Sequence, residues 1–153
     1  MQLTPHFHLS EFTRSSTARR LGDANQPNAQ ELANLRRLAE CLERIRAHLG
    51  GHPVVITSGF RNERVNRAVG GVPNSAHRLG LAADFTVPGF HQGPSSVLAT
   101  CQAIAEVPGL CFDQLINEHD RWIHLSLRPA DDRRQLLTID SRGTRPGLLR
   151  AQA

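Results

Sequence analysis

The clearest periodic pattern in the chain is an apolar stripe that begins shortly after Asn28. Its members recur every three or four residues: Leu32, Leu35, Leu38, Leu42, Ile45 and Leu49. This spacing places them on one face of a helix. Asn28 with Glu31 resembles a capping box at the start of that helix, and Gly50-Gly51 ends it.

The remaining apolar runs are short and predict small elements. Helical patterns occur near residues 10–20, 62–69 and 95–105, and strand patterns at 53–57, 81–87, 112–117, 122–127 and 135–139. The last of these strands is predicted to lie at an edge. Helices first and short strands later predict an α+β fold, with a small central antiparallel sheet flanked by helices. Residues 144–153 lack a pattern and are expected to fray, which assigns the domain to residues 1–143.

Length and composition agree with one compact domain. The chain has 153 residues, 39% of them hydrophobic and 21% charged. No stretch approaches the ~20 apolar residues of a transmembrane helix. The start of the chain, Met1 to Ser10, lacks a basic head followed by an apolar run, so no secretory signal is expected.

The basic residues are unusual, because all 18 are arginine. With a net charge of +4, such a surface attracts polyanions such as nucleic acid, anionic cell wall or outer-membrane lipid. A nucleic-acid-binding module is disfavoured, since aromatic residues make up only 5% of the chain and no zinc-finger spacing is present.

Cys41, Cys101 and Cys111 form no CxxC pair and predict free thiols rather than a disulfide framework.

Three residues stand out as candidate metal ligands. His77 and Asp84 lie seven apart on the approach to a strand, and His124 interrupts an apolar strand. A buried imidazole needs partners for its ring nitrogens, and two imidazoles with one carboxylate suit Zn²⁺ with a position left for water. Residues seven apart on a straight strand point to opposite faces, so His77 must lie on a loop. Gly80 is where the chain can bend back towards Asp84.

The order of several motifs resembles the zinc D-alanyl-D-alanine carboxypeptidase family, within the group named for lysostaphin, D-Ala-D-Ala metallopeptidases and sonic hedgehog. The motifs are SAHRLGLAAD at 75–84, WIH at 122–124 and TSGFR at 57–61. LSEF at 9–12, FDQLI at 112–116 and RRQ at 133–135 are similar to the phage and prophage branch. The resemblance spans roughly residues 8 to 138 and implies the same α+β fold.

The resemblance implies that His77, Asp84 and His124 hold one zinc ion. It further implies that Arg61 binds a substrate carboxylate or carbonyl, which suits the planar fork of a guanidinium. Ser75 is expected to support the site through its hydroxyl and to contribute to substrate binding.

The general base remains open among three residues. Many relatives carry this carboxylate three residues before the last zinc histidine, where this chain has Arg121, which cannot accept a proton. The resembled branch places a glutamate after the Leu-Ile pair, at Glu118. Asp120 is the fallback, and some relatives use a histidine at the position of His119.

The register of the neighbouring strands bears on this choice. A three-residue turn at 119–121 would set Glu118 opposite Trp122, on the same face as His124. A two-residue turn would instead place Glu118 on the face opposite to His124.

The expected function is hydrolysis of peptidoglycan stem peptides by a monomeric zinc peptidase, a phage or prophage endolysin. It would cut either the terminal D-Ala-D-Ala bond or an L-Ala-D-Glu bond. Such a protein is expected to be made in the bacterial cytoplasm and released to the wall by another agent. The alternative is a zinc-containing virion or wall-binding protein without catalysis, which the arginine at position 121 favours.

Overall fold

The computed structural model describes residues 1–153 and contains five α-helices, one 3₁₀ turn and eight strands. The helices are α1 (Leu9–Thr13), α2 (Ser16–Leu21), α3 (Ala29–His48), α4 (Glu63–Ala68) and α5 (Ser96–Ala105), and the 3₁₀ turn is Ala76–Leu79. The strands are β1 (Gln2–Thr4), β2 (Phe7–His8), β3 (Val55–Ser58), β4 (Ala82–Thr86), β5 (Gln114–Glu118), β6 (Trp122–Ser126), β7 (Gln135–Asp140) and β8 (Gly143–Pro146). None of the helices combines the length and apolar character that crossing a bilayer requires.

Helix α3 forms as its sequence predicts. The side chain of Asn28 accepts the backbone N–H of Glu31 at 2.8 Å, and the Glu31 carboxylate accepts the N–H of Asn28 at the same distance. Its apolar stripe joins a single core of 27 buried residues that includes one face of the sheet. Cys41 on this helix is a buried free thiol, and burial raises its pKa to about 12.

The main sheet has six strands in the order β3-β4-β6-β5-β7-β8. The fold is α+β as predicted, but the sheet is mixed because β5 and β7 run parallel. Arg133 fixes this arrangement where the two strands begin, since its guanidinium donates to both oxygens of Asp113 at 2.8 and 2.9 Å. Strand β7 is internal rather than at an edge, because β8 pairs with its other side.

The C-terminal segment differs from the frayed tail expected from its sequence. After β8, the hydroxyl of Thr138 donates to the carbonyl of Gly147 and accepts the N–H of Leu149, both at 2.9 Å. The side chain of Asn117 donates to the carbonyl of Leu149 at 2.8 Å. The segment is held by polar side chains binding backbone groups, so it has no apolar period that a sequence pattern could reveal.

Asp140 binds the end of this segment. Its pKa allows a prediction of how the stability of the fold depends on pH. The N–H of Gln152 hydrogen bonds its carboxylate, with further help from the N–H of Arg142 and the Arg145 guanidinium, and these lower its pKa to about 2. A depressed pKa in the folded state adds stability above the unfolded pKa of about 3.9, and that stability is lost as the pH falls towards 2. Asp140→Asn is therefore expected to lower the Tm by a few degrees at pH 7.

The Tm difference between Asp140→Asn and the unchanged protein should shrink between pH 4 and pH 2. Thermal unfolding at pH 7, 4 and 2.5 measures it. Asp131→Asn is the matched control, because Asp131 is exposed and its side chain has no hydrogen-bond partner. A pH-independent difference would contradict the role given to the Asp140 charge.

The two faces of the sheet have different surroundings. Core-facing residues include Ala83, Phe85, Leu115, Ile123 and Leu125, all fully buried. Residues directly opposite on neighbouring strands share a face, as do residues two apart on one strand. Asp84 pairs with His124, which pairs with Ile116, so these residues and Glu118 share the other face, called here the site face.

A close backbone contact joins α1 to the end of β3. The N–H of Phe60 donates to the carbonyl of Phe12 at 2.7 Å. A Cβ at Gly59 would lie 2.6 Å from that same carbonyl oxygen, so only glycine fits there. The N-terminal helix therefore packs directly against the chain that leads to Arg61.

Candidate metal centre

Two histidines and an aspartate meet on the site face. One donor atom from each of His77, Asp84 and His124 lies within 4.8 Å of the others. Nδ1 of His124 lies 2.8 Å from Oδ1 of Asp84, and Nε2 of His77 lies 3.5 Å from Oδ2. The two imidazole rings meet edge to face, with centroids 5.3 Å apart. The structure thus brings together the three residues that the sequence predicts as metal ligands, and their role as ligands stays a prediction.

The 3₁₀ turn places His77 within reach of Asp84. The hydroxyl of Ser75 accepts the N–H of His77 at the start of the turn, at 3.3 Å. Gly80 ends the turn with φ +74°, in the left-handed region that favours glycine, and a Cβ there would lie 2.7 Å from the carbonyl of Glu31. The chain thus bends at Gly80 as its spacing requires. Contact between Ser75 and a substrate stays a prediction.

The hydrogen bonding of His77 fits a cation between the three side chains. Its Nδ1 lies 2.7 Å from the carbonyl of Gly59, which can only accept, so Nδ1 carries the proton. In the neutral ring, Nε2 then presents a lone pair towards the negative carboxylate of Asp84. The Nε2 lone pair and the carboxylate are both acceptors, and they face each other in a buried site, since His77 is only 4% exposed. A cation between them would stabilise this arrangement. Two imidazoles and one carboxylate are a donor set that suits Zn²⁺.

Asp84 is ionised in this environment. Its burial would raise the pKa of the carboxyl, but the neighbouring imidazoles of His124 and His77 outweigh this and hold the pKa well below its usual range. The carboxylate is therefore available as a negative ligand throughout the physiological pH range.

Arg61 lies beside the donor cluster and forms no direct ion pair with a carboxylate. Burial lowers its pKa, while the nearby carboxylates of Asp84 and Glu118 act in the opposite direction. The only side-chain partner of its guanidinium is the amide oxygen of Asn66, at 3.4 Å from Nη1, and its Nε is buried without a partner. A buried donor without a partner is costly, so a ligand with an acceptor oxygen would be stabilised there.

Glu118 reaches the site face because residues 119–121 form a three-residue turn. Glu118 pairs with Trp122 in the ladder between β5 and β6, the register that places it on the same face as His124. Burial raises the pKa of Glu118, and the negative charge of Asp84 raises it further. A carboxylate with a raised pKa is suited to exchanging protons near neutral pH.

Asp120 points away from this cluster. Its Oδ1 accepts the side chain of Asn117 at 2.6 Å and the N–H of Ala151 at 3.1 Å, and its Oδ2 lies 3.3 Å from Nε of Arg150. These bonds tie the 119–121 turn to the C-terminal segment. The structure therefore does not bring Asp120 to the donors, and its expected role as the fallback base is not supported by its position.

His119 is exposed at the same turn. Its ring packs against Trp122, with centroids 5.8 Å apart, and its side chain makes no hydrogen bond. The indole Nε1 of Trp122 on the site face is buried without a partner. His119 thus borders the site through an aromatic contact, whereas Glu118 shares the face with the donors.

Two asparagines that sequence reasoning missed hold the surroundings of Arg61. Asn66 is 3% exposed and contacts the guanidinium, and its own amide donates to the carbonyl of Val72 at 2.8 Å. Asn25 is 1% exposed, and its amide donates to the carbonyls of Thr13 and Phe60, each at 2.9 Å. Asn25 has φ +49°, a conformation that asparagine tolerates, but its turn-forming sequence gives no signal of these distant contacts.

Comparison with models of protein families identifies the family of the chain. The family model described as Peptidase M15 matches residues 5–126. The match includes the three donors, Arg61 and Glu118, and stops before β7 and β8. No curated protein matches the chain.

Proposed function

The chain belongs to the peptidase M15 family, and from this premise we propose that it is a zinc peptidase that hydrolyses the stem peptides of peptidoglycan. Peptidases of this family are metallopeptidases that depend on zinc. The observation that carries the proposal is the convergence of His77, Asp84 and His124 beside one free carboxylate, Glu118, and one arginine without an acidic partner.

His77, Asp84 and His124 would hold the metal, and the fold gives each a fixed orientation. The Gly59 carbonyl keeps the proton of His77 on Nδ1, and both His124 and Asp84 sit in paired strands. When bound, zinc polarises a substrate carbonyl and lowers the pKa of a water molecule towards ~7. Proton transfer and substrate binding are carried out by the side chains around the site.

Glu118 would act as the general base. It accepts a proton from the attacking water and later delivers that proton to the leaving amine. Its place on the site face supports this role, whereas Asp120 is engaged by Asn117, Ala151 and Arg150. His119 becomes the second choice in place of Asp120, because its imidazole borders Trp122 at the edge of the site.

Arg61 would bind the substrate and stabilise the negative charge that develops during attack. Its guanidinium can grip a carboxylate with two parallel hydrogen bonds. The same contact serves a terminal D-Ala carboxylate or an acyl carbonyl. We therefore propose either a D-Ala-D-Ala carboxypeptidase or an L-Ala-D-Glu endopeptidase, acting as a phage or prophage endolysin.

Arg61→Ala is expected to lower kcat/KM by about 10²-fold, as loss of one donor to a developing negative charge typically does. Zinc content should stay unchanged, because Arg61 is not a ligand. Arg61→Lys keeps the charge but not the planar fork, and should recover part of the loss. Steady-state kinetics with metal analysis of both variants checks this, and an unchanged kcat/KM in Arg61→Ala would demote Arg61 to a structural residue.

A second candidate is a zinc-containing virion or wall-binding protein without catalysis. It is favoured by Arg121, which stands where many relatives carry the catalytic carboxylate. Mass spectrometry of muropeptides after incubation with the protein, with and without a chelator, separates the two functions. Chelator-sensitive cleavage supports the peptidase and identifies the bond, whereas intact muropeptides with a zinc-loaded protein support the binding function.

A further inference from the structure

A cleft of about 360 Å³ begins beside the donor cluster and runs along the start of α2. Its inner end is formed by Ser58, Gly59 and Arg61, and its outer end by Arg14, Ser16 and Thr17. The inner end adjoins the metal centre, because Ser58 pairs with Asp84 in the sheet and the Gly59 carbonyl binds His77. We call this groove the α2 cleft.

The charges in the α2 cleft are all positive. Arg14 and Arg61 are its only charged residues, and no carboxylate lines it. Arg14 is exposed and takes part in no ion pair, and Arg61 has only an amide oxygen as side-chain partner. The cleft is therefore complementary to an anion.

A second, larger cleft shows how differently arginines are placed elsewhere. That cleft, of about 620 Å³, lies near the start of α3 and is lined by three arginines. Each is paired with a carboxylate: Arg64 with Asp23, Arg67 with Glu63 and Arg78 with Glu31. Unpaired arginines thus distinguish the α2 cleft from this one.

The two ends of the α2 cleft are held together by Asn25. Its buried side chain bonds the carbonyls of Thr13 and Phe60 and accepts the N–H of Asn62 at 2.8 Å. Of these three groups, the first lies next to Arg14 in the chain, and the other two belong to the residues directly before and after Arg61. The backbones that carry the two arginines are therefore fixed relative to each other before any ligand binds, which limits the entropy lost on binding.

We propose that the α2 cleft binds a second carboxylate of the peptide substrate and that Arg14 is the specificity-determining residue for it. The inference rests on the proposed function, since Arg61, which that function assigns to the substrate, also lines this groove. A γ-linked D-glutamate in such a peptide keeps a free carboxylate, which Arg14 can bind through its planar fork. Amidation of that carboxylate removes the charge and leaves the backbone unchanged.

The test compares two synthetic stem peptides that differ only at this group, one with the free carboxylate and one with the carboxamide. The zinc-loaded full chain should prefer the acid by about fivefold in kcat/KM, the upper end for an exposed ion pair. Arg14→Ala should lose that factor on the acid, mainly through KM, and should be unchanged on the amide. Arg14→Glu should reverse the preference, and Arg20→Ala, an exposed arginine on α2 outside the cleft, should change neither rate.

The outcomes separate the two proposals. If the protein cleaves both peptides and Arg14→Ala affects them equally or not at all, the second-carboxylate site is overturned while the peptidase function stands. If the protein cleaves neither peptide, the peptidase function fails. Calorimetric binding of the same two uncleaved peptides to the unchanged protein and to Arg14→Ala then decides the site: a fivefold preference that depends on Arg14 supports it, and equal affinities overturn it.

Discussion

His124→Ala is expected to abolish both zinc binding and peptide hydrolysis. The change removes one of three donors from a site in which every donor atom lies within 4.8 Å of the others. Loss of a group that merely orients a ligand typically costs roughly 10–100-fold in metal affinity, so loss of the ligand itself should cost more. Metal analysis of the purified variant, together with kcat/KM on muropeptides, measures both effects.

His48→Ala is the matched control for this variant, because His48 is exposed at the end of α3 and its side chain has no hydrogen-bond partner. It should keep full zinc content and activity. Full zinc occupancy in His124→Ala would remove His124 from the metal site. Circular dichroism of the variant distinguishes loss of a ligand from loss of the fold, since His124 lies within a strand paired on both sides.

Glu118→Gln is expected to keep zinc and lose turnover. The amide has nearly the same shape as the carboxylate but cannot accept the proton, and general acid–base groups contribute about 10²–10⁴-fold to rate. The loss should therefore appear in kcat, with metal content and KM close to those of the unchanged protein. Single-turnover kinetics and metal analysis of the same sample make the comparison.

Glu106→Gln controls for the loss of one negative charge, since Glu106 is exposed at the end of α5. Near-normal hydrolysis by Glu118→Gln would move the general base to another group, and His119→Ala is then the next variant to measure. Asp120→Asn is expected to act differently from either, because it would loosen the C-terminal segment that Asp120 holds. Its effect should therefore appear in the Tm.

The parts of the fold that sequence could predict are those governed by periodic apolar positions or local caps. Helix α3 was predictable from its apolar stripe and from the capping box formed by Asn28 and Glu31. Both features are present in the structure. The parallel pairing of β5 with β7 was not predictable, because the Asp113–Arg133 contact that fixes it spans 20 residues. The order of the C-terminal segment was not predictable for the same reason. Its hydrogen bonds to Thr138 and Asp140 follow no periodic sequence pattern.

The candidate site divides in a similar way. The convergence of His77, Asp84 and His124 follows from motif spacing with a bend at Gly80, and the face of Glu118 follows from the length of its turn. The engagement of Asp120 with the C-terminal segment depends on residues about 30 positions away, so the local sequence left it as the fallback candidate. The contacts of Asn25 could not be predicted either, because its partners lie at the end of α1 and in the segment after β3.

Gly59 links the stability of the N-terminus to the metal centre. Its Cα lies against the backbone of Phe12, and its carbonyl fixes the protonated nitrogen of His77. Proteins open locally at a lower free energy than that of global unfolding, and chain termini are among the segments that open most readily. Transient detachment of α1 would therefore free Gly59 to move, let His77 exchange tautomers and weaken its grip on a cation. Helix α1, distant in sequence from every donor, thus contacts the segment whose carbonyl orients His77.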